Sequence, residues 1–209
     1  MILSGGLQRK IKTITSIFVV FIAIFVLFQS FVIMPINKTE EQKHTAVRKY
    51  KGFEIRFYPS TTFATINSNA KTYRDLASPG FQRLAGYIFG GNEANTKISM
   101  TTPVQMAIND SLSTMSFVMP SAYSKETLPK PNDPNVHIHN TDNEYVAALR
   151  FGGYASDKDL KFYSEKLQDL LKENGITSIG NYRFLGYNPP FQPFCRRNEI
   201  IVSVEWVGK

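Results

Sequence analysis

The sequence predicts an α+β protein: a distorted antiparallel β-barrel with two flanking helices, built from two pseudo-repeated ββαββ halves and preceded by one N-terminal transmembrane helix. Three observations lead there. Residues 13–34 form an uncharged, almost wholly apolar run; the rest of the chain alternates short β-like runs with two amphipathic helical patterns; and the order strand, strand, helix, strand, strand occurs twice, once on each side of a Pro-rich stretch.

The apolar run reaches roughly 33 Å at about 1.5 Å per helical residue, enough to cross a hydrocarbon core of about 30 Å. A cleaved signal peptide is the competing reading, but its apolar region spans about 7–15 residues and ends at a small-x-small site. This run leaves instead through Phe31, Val32, Ile33, Met34 and Pro35, so it reads as an uncleaved signal anchor. Arg9, Lys10 and Lys12 press against its first residues, whereas Lys38 is offset by Glu40 and Glu41 and other positive residues lie further on. The near flank therefore places residues 1–12 in the cytoplasm and the C-terminal domain outside it. Residues 35–46 read as a linker and 47–209 as one domain, large enough to bury about two-thirds of its chain surface. Cys195 is the only cysteine, which allows no intrachain disulfide and is too distal for a lipidation site.

All 17 acidic residues but only 21 of the 24 basic ones follow the anchor, leaving the outer part at +4. The positives are scattered and no helix carries a basic face, a composition that speaks against nucleic-acid binding.

Within the domain, residues 53–58 (F-E-I-R-F-Y) alternate and stop at Pro59, and residues 62–67 form a second β-like run, together read as a hairpin. Ser78-Pro79-Gly80 reads as a helix start with Pro in the first turn, and Phe81, Leu84, Ala85 and Ile88 space one apolar helical face before Gly90-Gly91. Residues 97–108 then alternate, with Met100, Thr102, Val104, Met106 and Ile108 on one side, and residues 112–119 continue as a strand to Pro120. Pro129, Pro131 and Pro134 divide the domain, being too donor-poor for a sheet interior. Residues 136–140 and 144–151 read as a second strand pair. Ser156 with Asp159 forms a capping box, Leu160, Tyr163, Leu167, Leu170 and Leu171 stripe the second helix up to Gly175, and strands at 182–187 and 199–206 close the chain. Two amphipathic helices must each bury a face, and a curved antiparallel sheet carrying both satisfies them, with a groove between the halves as the natural ligand position.

Five segments in register resemble the SOUL family of haem-binding proteins: F-E-I-R-F-Y at 53–58, Y-I-F-G-G-N at 87–92, K-I-S-M-T-T-P-V at 97–104, F-G-G-Y at 151–154, and G-Y-N-P-P-F…R-R-N-E from 186 to 199. The resemblance spans about residues 47–207. It implies the family's distorted barrel of two related halves, a haem or related tetrapyrrole ligand, and an exposed apolar groove formed partly by the first helix. On that basis Phe81, Leu84, Ala85 and Ile88 include the apolar contacts to the macrocycle. Arg83 and Arg196 or Arg197 are the candidates to pair with propionates, because guanidinium forks match carboxylates. Some family members carry a His at the fifth position of the first motif, where an axial ligand has been proposed; this chain has Phe57. The resemblance then implies binding without a His ligand there, through apolar burial and propionate contacts.

Plainer readings stand beside these. His137 and His139 share a strand face, but the alternating Val136 and Ile138 suit the core side and leave the histidines to solvent; two His without a third ligand make a poor zinc site, and no metal site is expected. Met100 and Met106 read as core filler, and Cys195 has no His nearby in sequence to activate it. Arg196 and Arg197 can equally fasten the loop at 189–193.

The functional expectation is a non-enzymatic, membrane-anchored module that buffers, scavenges or transfers haem. A small-molecule hydrolase or sensor on the same doubled fold, with Glu199 or Glu54 beside a tyrosine acting as base, is the alternative; a catalytic carboxylate should have a raised pKa, a structural one an arginine partner. A protein-interaction domain using the apolar patch is a third reading.

Overall fold

The computed structural model describes residues 5–36 and 39–208. Helix α1 (Gly5–Ile36) is separate from the unit formed by residues 39–209. Its segment Arg9–Phe28 is long and apolar enough to cross a membrane, a property a signal sequence shares. Side chains such as Ile14, Phe18, Phe21 and Leu27 are exposed, and a helix apolar all round is unsuited to water.

The second unit begins with β1 (Glu40–Glu41) and β2 (Thr45–Lys49), so strands already occupy part of the segment 35–46. There follow β3 (Glu54–Tyr58), β4 (Thr62–Ser68), α2 (Tyr73–Ile88), β5 (Thr101–Thr102), β6 (Val104–Ala107) and β7 (Ser113–Val118). The second half supplies β8 (Val136–Asn140), β9 (Glu144–Phe151), α3 (Asp157–Glu173), β10 (Ser178–Gly186) and β11 (Asn198–Val204).

Nine strands form one sheet in the order β2-β3-β9-β11-β10-β6-β7-β4-β8, every ladder antiparallel, while β1 pairs in parallel with β5. Among the described residues no ladder joins β2 to β8, so the distorted barrel keeps an open seam. The order from β3 to β8 is a palindrome of the two halves, centred on the β10–β6 ladder, and it confirms the doubled ββαββ plan.

The pairing inside each half differs from the sequence reading. β3 and β4 are not a hairpin: β3 pairs with β9, and β4 with β8. Nor do β8 and β9 pair. The first strand of each half is exchanged onto the second strand of the other, an arrangement that local alternation cannot reveal because it reports burial, not partner.

The first helix also starts earlier than Ser78. Thr72 caps it, its hydroxyl accepting from Asp75 N at 3.1 Å, and Pro79 lies inside the helix. Gly80 serves packing: a Cβ there would meet Met115 Cε at 3.0 Å and Ile66 Cδ1 at 3.2 Å. The alternating run 97–108 is broken at Pro103 into β5 and β6, as a missing N–H requires. Ser156 caps the second helix as expected, its Oγ accepting from Asp159 N at 3.3 Å and donating to Asp159 Oδ2 at 2.6 Å, so that the Asp159 carboxylate meets the hydroxyl and not the Ser156 backbone N–H of a full capping box.

Helix α2 packs on β4, β7 and β8, and α3 on β9, β10 and β11. Leu76, Leu84, Tyr87 and Ile88 from α2 and Leu167 and Leu171 from α3 share one buried cluster with Ile55, Ala64, Ile66, Met115, Phe117, Leu149 and Ile200. Because side chains alternate along strands, the opposite sheet face collects a different set: Tyr58, Val146, Ala148, Leu185, Tyr187 and Ile201.

Candidate functional site

The residues that the sequence nominated on α2 divide by depth. Leu84, Ala85 and Ile88 are buried within the core, where an amphipathic helix must put its stripe. Phe81, at 38% exposure, is the member that reaches the surface, its ring 5.3 Å from that of buried Phe117. Arg83 is exposed on the same helix, close enough to Asp133 to help hold that carboxyl below its ordinary range, behind the larger effects of hydrogen bonds from Asn135. Phe89, at the C-cap, is also exposed.

Arg196 and Arg197 lie on the loop between β10 and β11, and the structure does not bring them to Arg83. Arg196 donates to the carbonyls of Pro189 (2.7 Å), Gln192 (2.9 Å) and Asn188 (3.3 Å), and its guanidinium carbon lies 4.4 Å from the centre of the Tyr154 ring. It fastens its own loop. Arg197 pairs with Glu199 at 3.0 Å and Glu41 at 2.9 Å and covers the Tyr187 ring.

A buried ionic cluster on the helix-free sheet face is the feature the nominated site lacked. Alternation along β3 puts Glu54, Arg56 and Tyr58 on that face, and β11 adds Glu199 beneath them. The Arg56 fork donates to both Glu199 oxygens, at 2.6 and 3.0 Å, and its Nε donates to Glu54 at 2.6 Å. Arg197 Nε and Tyr187 Oη donate to the same carboxylate. With four bonds accepted, Glu199 has no lone pair left for chemistry. Burial pushes its carboxyl up, but hydrogen bonds and charge from Arg56, then Arg197, outweigh that and hold it below the ordinary range. Burial and the Glu199 charge push the Tyr187 hydroxyl far up. By the criterion of pKa and arginine partners, Glu199 is structural rather than a catalytic base. The signal for this cluster was present in E-I-R-F-Y and R-R-N-E, where charges two apart share a strand face.

Among the described residues, concavities flank these elements in several places, three of which bear on the site. The groove between the halves, about 330 Å³, lies over the central β10–β6 ladder: Met106, Ile108, Leu160 and Phe184 supply apolar wall, Asp157 and Lys161 polar rim. A cleft of about 500 Å³ on the helix-free face is lined by His44, Lys49, Tyr50, Phe53, Arg150 and the Arg56–Glu199–Arg197 cluster, with Tyr50 and Phe53 stacked at 4.6 Å. A third, about 320 Å³, adjoins β1, Pro59 and Tyr123. All sit at the lower end of the roughly 300–1,000 Å³ of small-molecule sites. Of the nominated residues, Arg197 alone lines one of them.

Phe57 packs its ring at a tilt against that of Tyr145, 5.2 Å between centres, and offers iron no ligand. His137 and His139 face away from the core beside buried Val136. Among the described residues no group of three His, Cys, Asp or Glu side chains comes together. Met106 is buried in the core, and Cys195 is exposed.

A doubled ββαββ sheet with helices on one face defines an α+β class of domain. The chain belongs to the SOUL heme-binding protein family, whose model matches residues 39–203. It is similar to Heme-binding protein 1 of Xenopus tropicalis, 30% identical over 155 residues covering 71% of this chain and 81% of that one. Heme-binding protein 2 of Homo sapiens is 28% identical over 156 residues, covering 71% and 76%. Among solved structures, the EcmrR C-terminal domain superposes with a TM-score of 0.53 at 13% identity, covering 74% of this chain and 98% of that one. A hydrolase from Listeria innocua gives 0.51 at 11%, covering 77% and 94%. These two likenesses are of fold.

Proposed function

We propose that this chain is a membrane-anchored haem- or tetrapyrrole-binding protein that buffers, scavenges or transfers its ligand at the membrane surface, with the domain on the extracytoplasmic side. The observation that carries the reading is the match of the SOUL heme-binding model to essentially the whole outer domain. The apolar span Arg9–Phe28 supports the anchor, and Arg9, Lys10 and Lys12 on its N-terminal flank support the orientation.

The surface of α2 suits a macrocycle held by apolar contact and charge. Phe81 offers an exposed ring backed by Leu84, Ala85 and Ile88, and Arg83 offers an exposed guanidinium on the same helix. In this proposal Phe81 contacts the ring system and Arg83 pairs with a propionate, while Arg196 and Arg197 are engaged in the β10–β11 loop and its base. Haem supplies its own redox and ligand-binding chemistry; the chain supplies the surface and the charge.

The test is a haemin titration of the detergent-solubilised chain, followed by the Soret band and by quenching of Trp206. Saturable one-to-one binding of micromolar or tighter affinity is expected, with a spectrum lacking a His-ligated low-spin signature. Phe81→Asp should weaken binding at least about tenfold, since an aromatic ring of this size is worth roughly 1.5–3 kcal/mol when buried. Unaltered affinity in folded Phe81→Asp protein would remove α2 as the site. If Arg150→Glu weakens binding instead, the larger cleft on the helix-free face is the location. Non-saturating uptake would end the tetrapyrrole reading.

A further inference from the structure

We infer that the domain docks on the lipid bilayer through a rigid aromatic tip formed by two adjacent loops, residues 152–156 and 187–197. This rests on the anchored reading of α1 above.

Three rings stand out from these loops: Tyr154 at 57% exposure, Phe191 at 60% and Phe194 at 59%. The loops are bound to each other, since Asn198 Nδ2 donates to Gly153 O at 2.8 Å and the Arg196 guanidinium stacks over Tyr154. They are also held internally. Arg196 ties three carbonyls of the second loop, buried Gln192 donates to Phe194 O at 3.0 Å, and Asn188 Oδ1 accepts from Arg197 N at 2.6 Å. A chain that spends a guanidinium and two amides to fix a loop whose aromatic rings face outward presents those rings in a set geometry.

The occupant follows from where the tip is attached. Arg197, at its base, is paired with Glu41 at 2.9 Å. Glu41 follows Ile36, the last residue of α1, by five residues, a stretch that spans at most about 18 Å when fully extended. The base of the tip is therefore tied to residue 41, only five residues of chain beyond the helix that carries the apolar span. Tyrosine favours the interface between headgroups and acyl chains, where its apolar body and polar end are both accommodated, and phenylalanine enters the same boundary as apolar surface. Arg196 beside Tyr154, and exposed Arg150 at the end of β9, supply cations suited to headgroup phosphates.

Cys195, exposed and the sole cysteine, lies within the tip and provides the probe. The full chain is labelled there with an environment-sensitive fluorophore and reconstituted into vesicles of phosphatidylcholine and phosphatidylglycerol. Docking predicts a blue-shifted emission, quenching by a shallow nitroxide lipid and protection from aqueous iodide. Phe191→Ser with Phe194→Ser should reverse all three in protein whose circular dichroism spectrum shows it folded. Resistance to alkaline carbonate, measured on the same vesicles, reports the anchor separately. A label open to iodide in carbonate-resistant protein overturns the docking and leaves the anchor standing. Protein that carbonate strips, but whose label was quenched by lipid beforehand, keeps the docking and loses the anchor. Protection from iodide without lipid quenching points to a protein covering the tip and also overturns the proposal.

Discussion

Replacing Glu199 by Gln keeps the shape of the buried cluster and removes its charge, which isolates what the ionic network contributes. The carboxylate is wholly buried, and the Arg56 side chain it faces is 6% exposed. Gln offers one carbonyl oxygen where the carboxylate accepted four bonds, and turns an amide donor toward guanidinium or hydroxyl donors. Breaking a buried ion pair from one side costs about 3–5 kcal/mol. Arg56 retains Glu54 at 2.6 Å and Arg197 retains Glu41 at 2.9 Å, so the lower end applies, about 3 kcal/mol. For a domain of this size that corresponds to a fall in Tm of roughly 6–12 °C. Urea unfolding followed by circular dichroism is the assay, with an unchanged m-value as the check that the unfolded state is the same. A loss below about 1 kcal/mol would be the value of an exposed pair and would refute the dry, fully paired arrangement. The triple change Arg56→Met, Tyr187→Phe and Glu199→Leu should recover much of the loss, since apolar replacement of a buried pair together with the hydroxyl bound to it is often neutral or stabilising.

Acidification should act through the same carboxylate: Glu199 titrates below its ordinary value of 4.5 in the folded state, so its contribution is complete above that pH and is lost as pH falls toward the lower folded value. In Glu199→Gln protein, the acid-induced drop in stability should be smaller, measured by urea midpoints across that range. Gly91→Ala should cost roughly 1–3 kcal/mol, read by thermal unfolding, because a Cβ there would sit 2.6 Å from the Gly86 carbonyl oxygen that Gly91 N now binds at 2.8 Å. Cutting the chain between the halves near Pro129 should leave two pieces that do not unfold cooperatively alone but recover the native circular dichroism spectrum when mixed, since β3 needs β9 and β4 needs β8; a cooperative transition in either isolated half would contradict the exchange.

Local chemistry made most of the elements legible. Val136–Asn140 and Glu144–Phe151 fall where alternation placed strands, and Ser156 with Asp159 marks the start of α3 by a hydrogen bond between neighbours in sequence. Where local chemistry does not decide an element or a pairing, the deciding contact is distant in sequence. Ser78-Pro79-Gly80 looks like a helix start until Thr72 is seen to cap the chain earlier and Gly80 to admit Met115. The β3–β4 hairpin looked natural because the two runs are adjacent, yet their ladders lie with strands of the other half. Arg56 and Glu199 are 143 residues apart in sequence, and no spacing rule connects them. For the candidate site, helical periodicity identified the apolar face of α2 but could not separate Leu84, Ala85 and Ile88, which serve the core, from Phe81, which reaches the surface.

The division of arginine roles bears on how a tetrapyrrole would be held. Arg56 is committed to Glu199 and Glu54, Arg197 to Glu199 and Glu41, and Arg196 to three carbonyls and the Tyr154 ring. Recruiting any of these to a propionate would leave a buried acceptor or a loop carbonyl without its donor, a loss of about 1–3 kcal/mol that the new pair must first offset. Arg83 carries no such commitment to the core, and its exposed position on α2 lets it meet a carboxylate without unmaking anything in the fold. Of these four arginines Arg83 is accordingly the one whose contact with a propionate the fold opposes least, and the cluster around Glu199 is better understood as what holds the first strands, the last strand and the loop at 187–197 in fixed register.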